Sequence, residues 1–162
     1  MRLTKQTSDA IKILVICAQN EERLIKVANI AEAIGATKQV GLKLVNLLAR
    51  LDYIRTVRGP HGGIRLKPEA DQWTVGQVVR DLEAFSVAQS TPDGDDIDAG
   101  KHLEGFVDDA FAAFLAVLDQ HTIAELAARG KPARIEGGSG ATSRPAIASK
   151  GGSRRTGRSA SP

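Results

Sequence analysis

Two short stretches of this chain carry side chains suited to gripping an anion and reading a flat polar edge. The first is Thr37, Lys38, Gln39 and Lys43, within TKQVGLK; the second is RGPHGG, where Arg58 and His61 sit among Gly59, Gly62 and Gly63. Lysine and arginine bring cationic donors for phosphate or a guanine edge, while a glutamine amide both donates to and accepts from adenine. Groups for covalent chemistry are scarce by comparison. Cys17 is the single cysteine and lies within an apolar run, Ile13 to Ala18, so a buried structural thiol is expected. One cysteine also excludes an intrachain disulfide and any multi-cysteine zinc site supplied by one subunit. Asp93, Asp95, Asp96 and Asp98 offer hard oxygen ligands, but TPDGDDIDAG lacks the twelve-residue spacing and closing glutamate of a calcium loop, and reads as a solvated acidic loop. His102 and His121 are isolated, and no paired acid and base or activated nucleophile accompanies them. The expectation is therefore not an enzyme, with no catalytic residues and no metal site.

The surrounding pattern says how the two basic stretches are held. Thr7 to Asn20 places Ala10, Ile11, Leu14, Val15, Cys17 and Ala18 at helical spacing, with Thr7 or Ser8 as its cap. Ile25 to Ile34 reads as a short second helix ended by Gly35. Thr37 then caps a third, Lys38 to Leu51, whose apolar face of Val40, Leu44, Val45, Leu47, Leu48 and Leu51 leaves Gln39, Lys43, Asn46 and Arg50 outward. Helix, short turn, helix is the arrangement that presents a reading helix to a DNA major groove. Tyr53–Val57 and Ile64–Leu66 are strand candidates around the Gly/Pro-rich tip, which makes a hairpin wing. Trp73 to Phe85 returns to helical spacing with Thr74 as cap, and residues 86–100 read as an acidic loop.

A long amphipathic helix, Lys101 to Gln120, follows, with Leu103, Phe106, Val107, Ala110, Phe111, Phe114, Leu115 and Leu118 on one broad stripe; Thr122 to Arg129 closes the domain. Such a face beyond a small head predicts a partner surface, most simply a second copy of the same helix. Residues 137–162 contain six glycines and six serines with no aromatic residue, and are expected to be disordered.

Charge follows the same division. The chain's net +3 is made of +5 over residues 1–72, −7 over 73–133 and +5 over 134–162. A basic amino-terminal part before an acidic one fits a DNA-facing side and a side facing away. No apolar run is long enough to span a bilayer, and the opening residues do not form a signal-peptide core, so no membrane association and a cytoplasmic location are expected.

The RGPHGGIRL wing behind a helix-turn-helix, together with MRLTKQTSDA and TVGQVVRDLE, resembles the bacterial winged-helix regulators of the IscR/NsrR/RirA family over roughly residues 1–130. The resemblance implies transcriptional control, most often repression, by a homodimer joined along the long helix. In many members it also implies an iron–sulfur cluster held by three cysteines in the loop before that helix. An ungapped alignment with the nitric-oxide-sensing type puts Ser90, Asp95 and Lys101 at those positions, and Asp9 near a carboxylate that some relatives use as a ligand. Clusters are ordinarily held by soft thiolates, and none of the three loop residues is one.

The expected fold is therefore mainly α with a small β-hairpin: a winged helix-turn-helix head (1–85), an acidic loop (86–100), a long dimerisation helix with a closing helix (101–133) and a basic tail (134–162). The expected function is a homodimeric regulator that binds double-stranded DNA at a palindromic operator, without a conventional cluster or other cofactor. Thr37, Lys38, Gln39, Lys43, Arg58, Gly59, His61, Gly62 and Gly63 would face the DNA, and Leu103, Phe106, Val107, Ala110, Phe111, Phe114 and Leu118 the second subunit. The alternatives are a regulator whose cluster has His, Asp or Cys17 ligands, and a winged-helix module that binds proteins instead of DNA. An effector or protein partner of unknown identity fits either case.

Overall fold

In the computed structural model, which describes residues 3–69, 72–87, 98–132 and 135, the chain opens with α1, Lys5–Ala18. Its cap is Thr4 rather than Thr7 or Ser8: the Thr4 hydroxyl accepts from the Thr7 amide at 3.1 Å. Thr7 is itself buried, and its hydroxyl donates to Glu83 Oε1 at 2.6 Å, a contact with a distant helix that a local capping pattern does not reveal.

Asp9, aligned near a carboxylate that some relatives use as a ligand, is buried and clasped by Lys5 Nζ at 2.6 Å and Lys12 Nζ at 2.9 Å. Burial raises its pKa, but the hydrogen bonds and charges of the two lysines outweigh that and hold the carboxyl below its ordinary 3.8. A folded value below the unfolded one stabilises the fold above about pH 4, and that contribution is lost as pH falls through the depressed value. Urea unfolding across pH 2–7 should show a smaller loss of stability at the acid end in Asp9→Asn than in the wild type. An identical acid limb would assign the effect to other carboxylates.

Next come α2 (Val27–Ala33) and α3 (Lys38–Arg50), the helix-turn-helix pair. A Cβ at Gly41 would stand 2.8 Å from the Ala31 Cβ, so the two helices cross closely because one partner has no side chain. Thr37 caps α3 as expected, accepting from the Val40 amide at 3.3 Å. Val40 does not join the buried face. It lies at the edge of the stripe formed by Gly41, Leu44, Val45 and Leu48, and is exposed.

Strands β1 (Ile54–Val57) and β2 (Gly63–Leu66) pair antiparallel, with Ile54 opposite Leu66 and Arg55 opposite Arg65. Ile25, expected to open the second helix, instead forms a bridge with Ile64: each amide donates to the other's carbonyl, at 2.9 and 2.8 Å. A β-branched residue just before the helix start is well suited to this extended role. The bridge ties the wing to the segment leading into α2.

Helix α4 (Val75–Val87) follows with Thr74 as its cap, the hydroxyl accepting from the Gln77 amide at 3.1 Å. It continues past the expected end at Phe85, and α5 (Asp98–Leu118) starts before the expected Lys101. Residues 86–87 and 98–100, expected within the acidic loop, are therefore helical. Gly100 does not stop α5, since one glycine costs about 1 kcal/mol in a helix interior. Ser90, Asp93, Asp95 and Asp96 and the tail beyond residue 135 lie outside the described residues. Helix α6 (Ile123–Arg129), capped by Thr122, packs on α1, where Gln19 Nε2 donates to the Ala127 carbonyl at 3.0 Å.

A second clasp joins the start of α4 to the end of α5. Asp119 accepts from the Thr74 hydroxyl at 2.7 Å and from both terminal nitrogens of Arg80 at 2.8 and 2.9 Å. The core beneath is continuous, with Ile13, Leu14, Ile30, Leu48, Tyr53, Ile64, Leu82 and Ile123 fully buried.

Candidate nucleic-acid interface

Helical geometry sorts α3 into two sides. Gly41, Leu44, Val45, Leu47 and Leu48 are buried, and Gln39, Lys43, Asn46 and Arg50 recur every three or four residues along the opposite side, all exposed. Thr37 and Lys38 extend this surface at the amino-terminal end and are exposed as well. An open groove of about 530 Å³ runs along the outward face, lined by Gln39, Leu42, Lys43, Asn46 and Arg50, with Gln6 of α1 and Phe85 of α4 at its sides. Among the described residues, Lys38, Lys43 and Arg50 have no acidic partner. A ridge of cations without internal counter-ions is available for phosphate.

In the wing, Arg58 and His61 are exposed at the tip, where Gly59 adopts φ 113° and accepts a hydrogen bond from the Gly62 amide at 3.0 Å. Gly63 meets the Ile25 strand so closely that a Cβ would stand 2.6 Å from the Ile25 carbonyl oxygen. Gly59, Gly62 and Gly63 therefore shape the hairpin, while Arg58 and His61 are the side chains it presents. Sequence reasoning missed two more. Arg55 and Arg65 are directly opposed across the strands, both exposed and, among the described residues, without an acidic partner. Like charges so placed repel. Alternation in YIRTV and GIRL marks both as outward, but only the register shows that they face each other.

No hydrogen bond or ion pair joins the α3 ridge to the wing tip among the described residues. The core and the Ile25–Ile64 bridge hold both.

The apolar stripe of α5 divides along its length. Leu115 is buried, and Phe111, Phe114 and Leu118 are half-buried against the protomer's own core, with the two phenylalanine rings stacked at 6.3 Å. Phe106 and Val107 are exposed, at 74% and 52%, as is Ala110. The side chain of Leu103 lies outside the described residues.

Cys17 is buried in α1, and desolvation pushes its thiol up to about 12, far from a reactive thiolate. No cluster of three or more His, Cys, Asp or Glu side chains is poised to hold a metal among the described residues. No helix among them is long and apolar enough to cross a membrane. His121 lies 3.3 Å from Glu125 at the start of α6, away from the α3 groove and the wing.

A tight helix-turn-helix with an outward cationic ridge and an antiparallel wing defines a winged-helix DNA-binding protein. The model of the Rrf2 family, described as an iron-dependent transcriptional regulator, matches residues 3–129, and the chain belongs to this family of transcriptional regulators. Solved structures agree in fold. Staphylococcus aureus CymR in its oxidized form is 27% identical with a TM-score of 0.60, over 81% of this chain and 99% of that one. The global cysteine regulator CymR of B. subtilis is 23% identical with a TM-score of 0.60, over the same shares of the two chains. IscR of T. potens is 21% identical with a TM-score of 0.59, over 85% of this chain and 94% of that one. The family resemblance and the mainly helical fold with its wing stand as the sequence implied.

Proposed function

We propose that the protein acts as a cytoplasmic homodimer that binds a palindromic operator and represses transcription. The observation that carries this reading is the unneutralised cationic ridge of α3, Lys38, Lys43 and Arg50 beside Gln39 and Asn46, joined through the core and the Ile25–Ile64 bridge to a basic wing. Two such heads on a twofold axis would place their reading helices in successive major grooves, with Arg58 and His61 reaching the flanking backbone or minor groove. Exposed Phe106 and Val107 support α5 as the subunit contact, because large apolar side chains left in water on one protomer are what a second copy would cover.

The regulator works without a conventional iron–sulfur cluster. Its one thiol is buried and held protonated, and Asp9 is committed to two lysines. The donors among the described residues do not fit a thiolate-held group. The experiment is selection from random DNA with full-length protein purified anaerobically, followed by iron analysis and visible spectroscopy. The expected outcome is a palindrome enriched by a colourless, iron-free dimer. Absence of any enriched sequence, with a co-purifying protein, would point instead to a protein-interaction module. A brown, iron-loaded dimer would overturn the ligand argument.

A further inference from the structure

One residue of the α3 ridge does not match its neighbours. Leu42 is 48% exposed, yet Gln39, Lys43, Asn46 and Arg50 around it all end in hydrogen-bonding groups. It follows Gln39 by three residues and precedes Asn46 by four, which puts amide, isobutyl and amide groups in one row on the same side of the helix. All three line the outward groove. The fold makes little use of this leucine, because the stripe that buries α3 lies on the other side.

A base pair that suits such a row offers both an amide partner and a methyl group. Adenine presents N7 and the N6 amino group to glutamine or asparagine, and its thymine carries a C5 methyl on the same groove edge. A G·C pair offers no methyl. We infer that Leu42 is a specificity-determining residue that packs on thymine methyl groups, so that the operator half-site is centred on A·T pairs in the major groove. The inference rests on the proposed DNA reading of α3 and adds the base class that it selects. DNA suits this face better than a second copy of the chain. A twofold contact made by this ridge would bring Lys43 and Arg50 against the cations of the same ridge on the second copy, whereas phosphates on both sides of a groove neutralise them.

The test uses the operator obtained by selection, with thymines of the half-site replaced singly by deoxyuridine, which pairs identically but lacks the methyl. Fluorescence anisotropy is expected to show the wild type binding about threefold to fivefold more weakly at one or two of these positions, the size of losing one apolar methyl contact. Leu42→Ala should bind the thymine operator about fivefold to tenfold more weakly and no longer distinguish thymine from deoxyuridine there, while Leu42→Met should keep the distinction. Equal wild-type affinity for every deoxyuridine operator would overturn the inference. So would a Leu42→Ala protein that retains the preference, or one that changes oligomeric state. In each of those outcomes operator binding by the wild type survives, whereas loss of all specific binding by the wild type would instead refute the DNA reading.

Discussion

With Lys38 and Arg58 both replaced by alanine, operator affinity is expected to fall by roughly a hundredfold or more while the protein remains folded. The two side chains lie at separate places, one at the start of α3 and one at the wing tip, and both are exposed. Neither has an acidic partner among the described residues, so their removal leaves no buried charge behind. Substitutions of this kind usually change stability by about 0.5 kcal/mol or less. Each contact to a base or a narrow minor groove contributes on the order of 1–3 kcal/mol, and losses at sites without shared partners add. Titration of labelled operator at fixed salt, beside circular dichroism and sedimentation of the variant, checks both halves. Unchanged affinity would remove α3 and the wing as the reading surface.

Tyr53→Ala is expected to have the opposite profile, costing about 3–5 kcal/mol of stability. Tyr53 is fully buried, its ring meets Trp73 edge-on at 4.0 Å, and its hydroxyl donates to Asp81 Oδ2 at 2.6 Å. Burial and the Asp81 carboxylate raise its pKa well above the ordinary tyrosine range, so it stays a neutral donor. Its amide donates to the Leu48 carbonyl and its own carbonyl accepts from the Lys67 amide. One residue thus joins the end of α3, the base of the wing and α4. Tyr53→Phe keeps the ring but strands one oxygen of Asp81, and should cost about 1–2 kcal/mol. Urea unfolding separates the two variants; equal losses would mean that the hydroxyl, not the ring, holds the junction.

Helix α3 and the hairpin wing were legible because each is specified locally. Thr37 caps α3 from an adjacent position, the spacing of Leu44, Val45 and Leu48 marks one side of a helix, and the hairpin turn lies in consecutive residues. Features that depend on a distant neighbour were not legible. Thr7 looks like a cap until Glu83 is beside it, and Ile25 looks helical until Ile64 pairs with it. Leu42 belongs neither to the apolar face nor to the polar side expected for this helix, and an apolar residue between the two carries no local signal of a role. Its exposure emerges only once the other side of α3 is seen packed.

The Ile25–Ile64 bridge also bears on what a bound operator must do. Because Ile25 and Ile64 stitch the wing to the segment leading into the helix-turn-helix, the span between the α3 ridge and the wing would serve, on the proposed reading, as a gauge more than as an adjustable reach. On the proposed reading, any mismatch between that gauge and straight duplex falls on the DNA. Base pairs between the two contact points would then be selected for how easily they bend or narrow, although no side chain touches them.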